Sequence, residues 1–212
     1  MVSTSSGGKT IIVGVTGASG ALLAQTTLRL LAADARVTRV HLVITDAGSR
    51  LLEQELGIAS RAADLPAKII GSPAAKIELL PNSDIGASIA SGSYQADAMC
   101  VIPCSMGALA AIASGASADL LSRAADVSLK EGRRLVLCIR DTPFSRIHLE
   151  NMMRAQQAGA VIMPAIVSFY HQPKTIDDLV TQYVCRVLAQ IGLPQERQFT
   201  WQGGGERKAE SA

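Results

Sequence analysis

Apolar residues along this chain fall into two alternating patterns. Short, nearly continuous apolar runs, such as Ile11-Ile-Val-Gly-Val15 and Leu135-Val-Leu-Cys-Ile139, read as strands buried on both faces. Between them, apolar positions recur every three or four residues, the spacing of an amphipathic helix. The runs predict strands over 10–15, 38–44, 97–102, 134–139 and 160–163, with a short further strand at 76–80. The helical spacing predicts helices over 20–33, 46–57, 106–115, 119–131, 145–158 and 175–191. This β-then-α rhythm predicts an α/β fold: a three-layer Rossmann-like (flavodoxin-like), doubly wound, mostly parallel sheet. The stretch 58–96 holds Pro66, Pro73 and Pro81 and carries little periodicity. No linker or repeat divides the chain, so residues 10–202 form one domain, between a polar extension at 1–9 and a Gly-rich, charged tail at 203–212, both expected to be disordered.

Composition narrows the class. Of 212 residues 48% are apolar and only 3% aromatic, so Ala, Val, Leu and Ile must fill the core. A net charge of +2 provides no field that calls for nucleic acid or a membrane surface. No apolar run reaches the roughly 18 residues that span a bilayer. The first nine residues lack the apolar centre of a secretory signal, and a cytoplasmic location is the default expectation. Cys100, Cys104, Cys138 and Cys185 form no CxxC pair and His41, His148 and His171 are scattered, so no metal is expected.

In a doubly wound sheet, ligands lie outside the carboxyl ends of the strands. After the first predicted strand comes Thr16-Gly-Ala-Ser-Gly20, leading into a helix. Its glycines allow a phosphate close to the backbone, Ser19 adds a hydroxyl, and a helix N-terminus attracts anions. It is neither the GxGxxG fingerprint nor a P-loop. The other strand ends carry Thr45 and Asp46, Pro103-Cys-Ser-Met-Gly107, Arg140-Asp-Thr-Pro-Phe-Ser145, and Pro164 through Pro173. Five such loops, with Arg140 as the one clear cation, suit a flat, phosphate-bearing ligand. Each hydroxyl taken singly also reads as a helix N-cap. Arg123 and Lys130, seven residues apart, lie two turns along one helix face. That face is either solvated or turned to a neighbouring subunit's phosphate. Tyr170 and Arg186 form another candidate phosphate-holding pair, though spacing does not bring them together.

These motifs in this order resemble the UbiX-type flavin prenyltransferases, a family of FMN-binding flavoproteins. The likeness runs from about Thr10 to Trp201. It rests on Thr16-Gly-Ala-Ser-Gly-Ala21, Ser91-Gly92-Ser93, Pro103-Cys-Ser-Met-Gly107, Arg123-Ala-Ala-Asp-Val127, Leu129-Lys-Glu131, Arg140 to Ser145, Ile147-His-Leu-Glu-Asn-Met152 and Phe169-Tyr-His-Gln-Pro173. The resemblance implies a metal-independent transferase. It would join a dimethylallyl group from dimethylallyl phosphate to N5 and C6 of reduced FMN, making prenylated FMN for a partner decarboxylase. It also implies a homododecamer.

By the same resemblance, Gly17, Ala18, Ser19, Thr45, Ser105, Met106, Gly107, Ala108 and Arg140 contact FMN. Lys130, Tyr170 and Arg186 hold the dimethylallyl phosphate, Lys130 from another subunit, with Arg123 beside them. Ser91 and Gly92 form the loop over the prenyl group and Trp201 helps close the pocket. Ser19, Glu55, Lys130 and Asp141 are the implied catalytic set. Two departures stand out: the family's usual Glu after the Arg is Asp141 here, and Leu22-Leu-Ala-Gln-Thr-Thr27 replaces the usual Tyr-Gly after the first turn. The competing readings are a flavin-dependent cysteine decarboxylase, whose Pro-Ala-Ser-Ala-Asn-Thr-like loop is absent, and a non-catalytic FMN carrier.

Overall fold

A computed structural model describes residues 8–59 and 64–201. Among these residues six strands form one sheet: β1 (Lys9–Val15), β2 (Val37–Ile44), β3 (Ile77–Pro81), β4 (Ala98–Cys104), β5 (Arg134–Ile139) and β6 (Val161–Ile162). Their order is β3-β2-β1-β4-β5-β6, and all five neighbouring pairs are parallel. The order reverses between β1 and β4, which makes the crevice above their carboxyl ends the topological switch point. This is the doubly wound sheet the apolar runs predict.

Among the described residues seven α-helices cover it: α1 (Ala21–Ala33), α2 (Asp46–Leu56), α3 (Leu65–Ile70), α4 (Met106–Ser114), α5 (Leu120–Lys130), α6 (Arg146–Gln157) and α7 (Ile176–Gln190). Because side chains alternate along a strand, the buried strands feed two cores. Ile11, Val13 and Val15 of β1 pack with Leu28 of α1 and Val184 of α7 on one face. Ile12 of β1 packs with Leu109 of α4, Leu121 of α5 and Ala155 of α6 on the other. The result is three layers with small and branched residues between them.

The predicted elements fall where expected, with three differences. The sequence pattern does not predict helix α3, because Pro66 reads as a breaker; here it stands at the helix start, where its missing N–H is harmless. The helix is fastened to α1, where Gln25 Nε2 and Arg29 Nε donate to the carbonyls of Ile69 and Ile70 at 2.7 and 2.9 Å. Strand β6 keeps only two residues, and β1 begins at Lys9, one residue inside the predicted extension. Residues 1–7 and the tail from 202 onward lie outside the described residues. Helix α1 runs unbroken through Leu22–Thr27, burying Thr26 and Thr27. The Thr27 hydroxyl turns back to the Leu23 carbonyl at 2.8 Å.

Candidate active site

Thr16, 1% exposed, fastens the switch point. Its Oγ1 donates to the Pro103 carbonyl and accepts from the Ser105 amide, both at 2.8 Å, so the ends of β1 and β4 are held together. The end of β2 is tied in by the Thr45 amide, which donates to the Val15 carbonyl at 3.0 Å. Thr45 and Ser105 then cap α2 and α4, accepting from the amides of Gly48 at 3.0 Å and Ala108 at 3.3 Å. Both hydroxyls therefore do the capping work, at the very edge where the ligand reading also needs them. Gly17 lets α2 approach, since a Cβ there would stand 2.4 Å from Ala47 Cβ and 3.2 Å from the Ala47 carbonyl carbon.

A cavity of about 160 Å³ opens between these loops, lined by Thr16, Gly17, Thr45, Ala47, Ser105, Gly107 and Ala108, with Asp119 and Ser122 behind. Five residues predicted to contact the flavin thus converge on one space. Its walls are small and apolar with hydroxyls at the rim, which suits a flat ring bearing polar groups. Gly107 faces this space in the first turn of α4, and a Cβ there would touch nothing within 4 Å. The amides of Met106 and Gly107 have no acceptor among the described residues. They are free to meet an anion.

The N-terminus of α1 has a different arrangement. The Glu55 carboxylate accepts from the Ala21 amide at 2.7 Å and the Gly20 amide at 3.0 Å, filling the position where the glycine turn was expected to receive a phosphate. Burial works to raise its pKa. The Ser19 hydroxyl, the amides of Ala21 and Gly20, and the Arg140 guanidinium outweigh that and hold the carboxyl below its ordinary value. Arg140 Nε in turn donates to the Ser19 carbonyl at 3.1 Å. Ser19, Glu55 and Arg140 thus form one polar cluster beside the cavity, and the anion at this helix end is supplied by the chain itself. Asp141 follows on the exposed side, its Oδ1 accepting from the Thr142 amide at 2.8 Å.

The remaining predicted residues lie elsewhere. Lys130 ends α5, four residues before β5 begins, whereas Arg140 follows the end of β5. The six residues of β5 span about 20 Å, so the two cations lie at opposite edges of the sheet. Lys130 is paired with Glu131 there. The Ser91–Ser93 loop shares that amino edge, with Arg133 donating to the Gly92 carbonyl at 2.7 Å. Arg123, in the first turn of α5, donates to the Ala90 carbonyl at 3.1 Å and pairs with Asp126 at 2.8 Å. Tyr170 and Trp201 stack edge to face at 5.4 Å and are 73% and 64% exposed. No hydrogen bond joins Tyr170 to Arg186 among the described residues. Sequence reasoning left Ala47 and Asp119 out of the cavity wall. Thr16 it noted only as part of the turn; the signal for it was a hydroxyl where a buried strand ends.

Buried thiols add no nucleophile to this edge. Burial pushes the Cys138 thiol up to about 12 and Cys104, next to Ser105, higher still. Among the described residues, no group of His, Cys, Asp and Glu side chains is arranged to hold a metal ion. No helix among them is long and apolar enough to cross a membrane.

The fold and this edge define a doubly wound α/β protein with a small-walled slot at its switch point. The sequence profile of the Flavoprotein family matches residues 1–188. A curated flavin prenyltransferase UbiX from Halalkalibacterium halodurans is 44% identical over 197 residues, covering 92% of this chain and 93% of the relative. AnUbiX, solved in complex with FMN and dimethylallyl pyrophosphate, superposes with a TM-score of 0.81 at 38% identity, covering 92% of this chain and 98% of that one. A dodecameric FMN-dependent UbiX-like decarboxylase from Escherichia coli O157:H7 also gives a TM-score of 0.81, at 41% identity, covering 92% of this chain and all (100%) of that one. The chain belongs to the Flavoprotein family and, within it, to the UbiX-type flavin prenyltransferases.

Proposed function

We propose that this chain joins a dimethylallyl group from dimethylallyl phosphate to N5 and C6 of reduced FMN, without a metal, and hands the prenylated flavin to a decarboxylase. The observation that carries this reading is the convergence of Gly17, Thr45, Ser105, Gly107 and Ala108 on one cavity at the switch point. Kinship to flavin prenyltransferases over 92% of the chain supports it. The flavin-holding set is Gly17, Ala18, Ser19, Thr45, Ser105, Met106, Gly107, Ala108 and Arg140. Because Glu55 neutralises the end of α1, the free amides of Met106 and Gly107 are the better placed donors for the flavin phosphate.

Reduced FMN, when bound, supplies the nucleophilic N5 and C6. The chain's own residues do three things. First, they meet the charge that grows on the departing phosphate. Ser19, Lys130, Tyr170 and Arg186 take this role, and one well-placed donor contributes about 3 kcal/mol to such a transition state. Second, the small walls at Ala47, Gly107 and Ala108 exclude water and hold the reactants in line. Third, a carboxylate takes up the proton displaced at C6, a task that falls to Asp141 at the rim.

Lys130 and the Ser91–Gly92 loop stand a sheet's length from Arg140, so they serve a flavin held by another copy of the chain. At about 160 Å³ the cavity of one chain is also smaller than the 300–1,000 Å³ of an ordinary small-molecule site. Exposed apolar residues support assembly: Ile147, Leu149 and Met153 on α6, and Ile166 and Phe169 after β6, are 53–74% exposed. A homododecamer is the assembly that fits this reading. Protein incubated anaerobically with FMN, a reductant and dimethylallyl phosphate should yield prenylated flavin by mass spectrometry. Unmodified flavin would instead support a decarboxylase or an FMN carrier.

Asp141 provides a sharper test. It is one methylene shorter than the family's usual Glu, a shortfall of about one bond length, and misplacement on that scale costs up to about 10²-fold in rate. Asp141→Glu should raise turnover and Asp141→Ala should lower it by about 10²-fold, with FMN affinity unchanged in both. Wild-type turnover in Asp141→Ala would remove the residue from the proton-handling role.

A further inference from the structure

Among the buried polar side chains of the described residues, His41 is the one imidazole, beside threonines and serines. It stands in β2, 1% exposed, where the strand otherwise presents Val40, Leu42 and Val43 to the cores. A buried imidazole is costly unless its nitrogens find partners. Nε2 lies 2.6 Å from the Tyr94 hydroxyl, with the two rings edge to face at 5.3 Å. Nδ1 lies 3.2 Å from Glu78 Oε2, off the axis of an N–H bond. Glu78 is the register partner of His41 in the β2–β3 ladder, and Arg39 approaches the same carboxylate at 3.7 Å. Burial lowers the pKa of His41, outweighing the pull of Glu78, which favours the neutral ring. In either neutral tautomer Nε2 keeps its hydrogen bond to the tyrosine, with the ring or the hydroxyl as donor.

Tyr94 belongs to the same loop as Ser91 and Gly92, and its amide donates to the Ser91 carbonyl at 3.3 Å. On its other side the loop presses on the end of α5. A Cβ on Gly92 would stand 2.2 Å from Glu131 Oε1 and 2.7 Å from Lys130 Nζ, and Arg133 holds the Gly92 carbonyl. The loop is therefore held between the end of α5 and the His41–Tyr94 hydrogen bond, with the exposed Glu78 carboxylate beside the imidazole.

We propose that His41 is a positioning residue for the prenyl-donor half of the site: through its hydrogen bond it fixes Tyr94 and so seats the Ser91–Ser93 loop against Lys130. This rests on the prenyltransferase reading, in which Lys130 holds the donor phosphate. The flavin-holding loops lie at the other edge of the sheet, so the His41–Tyr94 hydrogen bond should govern the donor and leave the flavin alone. Tyr94→Phe keeps the ring and deletes one hydroxyl. It should raise KM for dimethylallyl phosphate by about tenfold, the worth of one hydrogen bond with a buried nitrogen left unpaired. FMN affinity should stay within about twofold, and amide exchange over 91–95 should quicken. His41→Gln, which can still reach Tyr94, should retain more donor affinity than His41→Leu. Unchanged KM and unchanged exchange in Tyr94→Phe, with an active wild type, would overturn the positioning role alone. An equal loss of FMN affinity would reduce it to general stability. A wild type that makes no prenylated flavin would overturn the reading beneath it.

Discussion

Glu55 shows how one side chain changes the meaning of a motif. The turn from Thr16 to Gly20 promises an anion site by its glycines and its helix start. The fold brings a carboxylate from the end of α2 to occupy the first amides of α1. Sequence alone could not show this, because residues 20 and 55 are joined only by tertiary packing. The depressed pKa of Glu55 sets a pH signature. A carboxyl depressed in the folded state stabilises the fold above its unfolded pKa, about 4.3, and that stability vanishes as pH falls through the lower folded value. Glu55→Gln should therefore cost about 0.5 kcal/mol near pH 7, the low end for a helix cap because the group is exposed and screened. The gap between wild type and variant should stay level down to about pH 5 and narrow as pH falls below about 4.3. Denaturant melts at a series of pH values from about 7 down to about 3 check this, and a gap that does not narrow over that range would assign the loss to packing.

At the scale of elements, legibility followed the strength of local signals. Strands β1, β2, β4 and β5 are buried over most of their length, so their sequences carry long apolar runs and their positions could be read directly. Helices α4 and α6 announce themselves by Ser105 and Ser145, which do cap them. Helix α3 was illegible because its stability comes from α1, through Gln25 and Arg29, rather than from its own six residues. The cavity loops were legible as a set, since every one ends a strand. The contacts of Asp119 and Ala47 were not, because they depend on how α2 and α5 approach β1. Two glycines separate these effects. Gly17→Ala would drive a methyl into the Ala47 methyl and should destabilise the fold by about 1–3 kcal/mol. Gly107→Ala meets no atom within 4 Å. It should leave stability equal or raise it by about 0.5–1 kcal/mol, because alanine favours a helix. A loss of FMN affinity in Gly107→Ala without a loss of melting temperature would mark the ligand's path across α4. Unchanged affinity would take Gly107 out of the flavin-holding set.

For the molecule as a whole, the sheet's polarity decides what one chain can do alone. The connection from α5 into β5 is three residues, Glu131 to Arg133, so Lys130 is tied to the amino edge. Asp141 follows β5 at the carboxyl edge, about 20 Å away, beyond the reach of any lysine side chain. If both serve one reaction, each site takes its lysine from one chain and its carboxylate from another. That has a consequence no single-site enzyme shares. Lys130→Ala and Asp141→Ala should each lose most turnover as pure proteins. Co-expressed in equal amounts and co-assembled, they should regain it, because about one quarter of the sites then combine an intact Lys130 with an intact Asp141 from different chains. Specific activity near one quarter of wild type in the mixed oligomer is the expected outcome, measured as prenylated flavin formed per chain. The same two proteins purified separately and mixed without subunit exchange should remain inactive. A co-assembled mixture no more active than its parents would place the two residues in separate roles, and would leave Lys130 and its Glu131 pair as a feature of the amino edge alone.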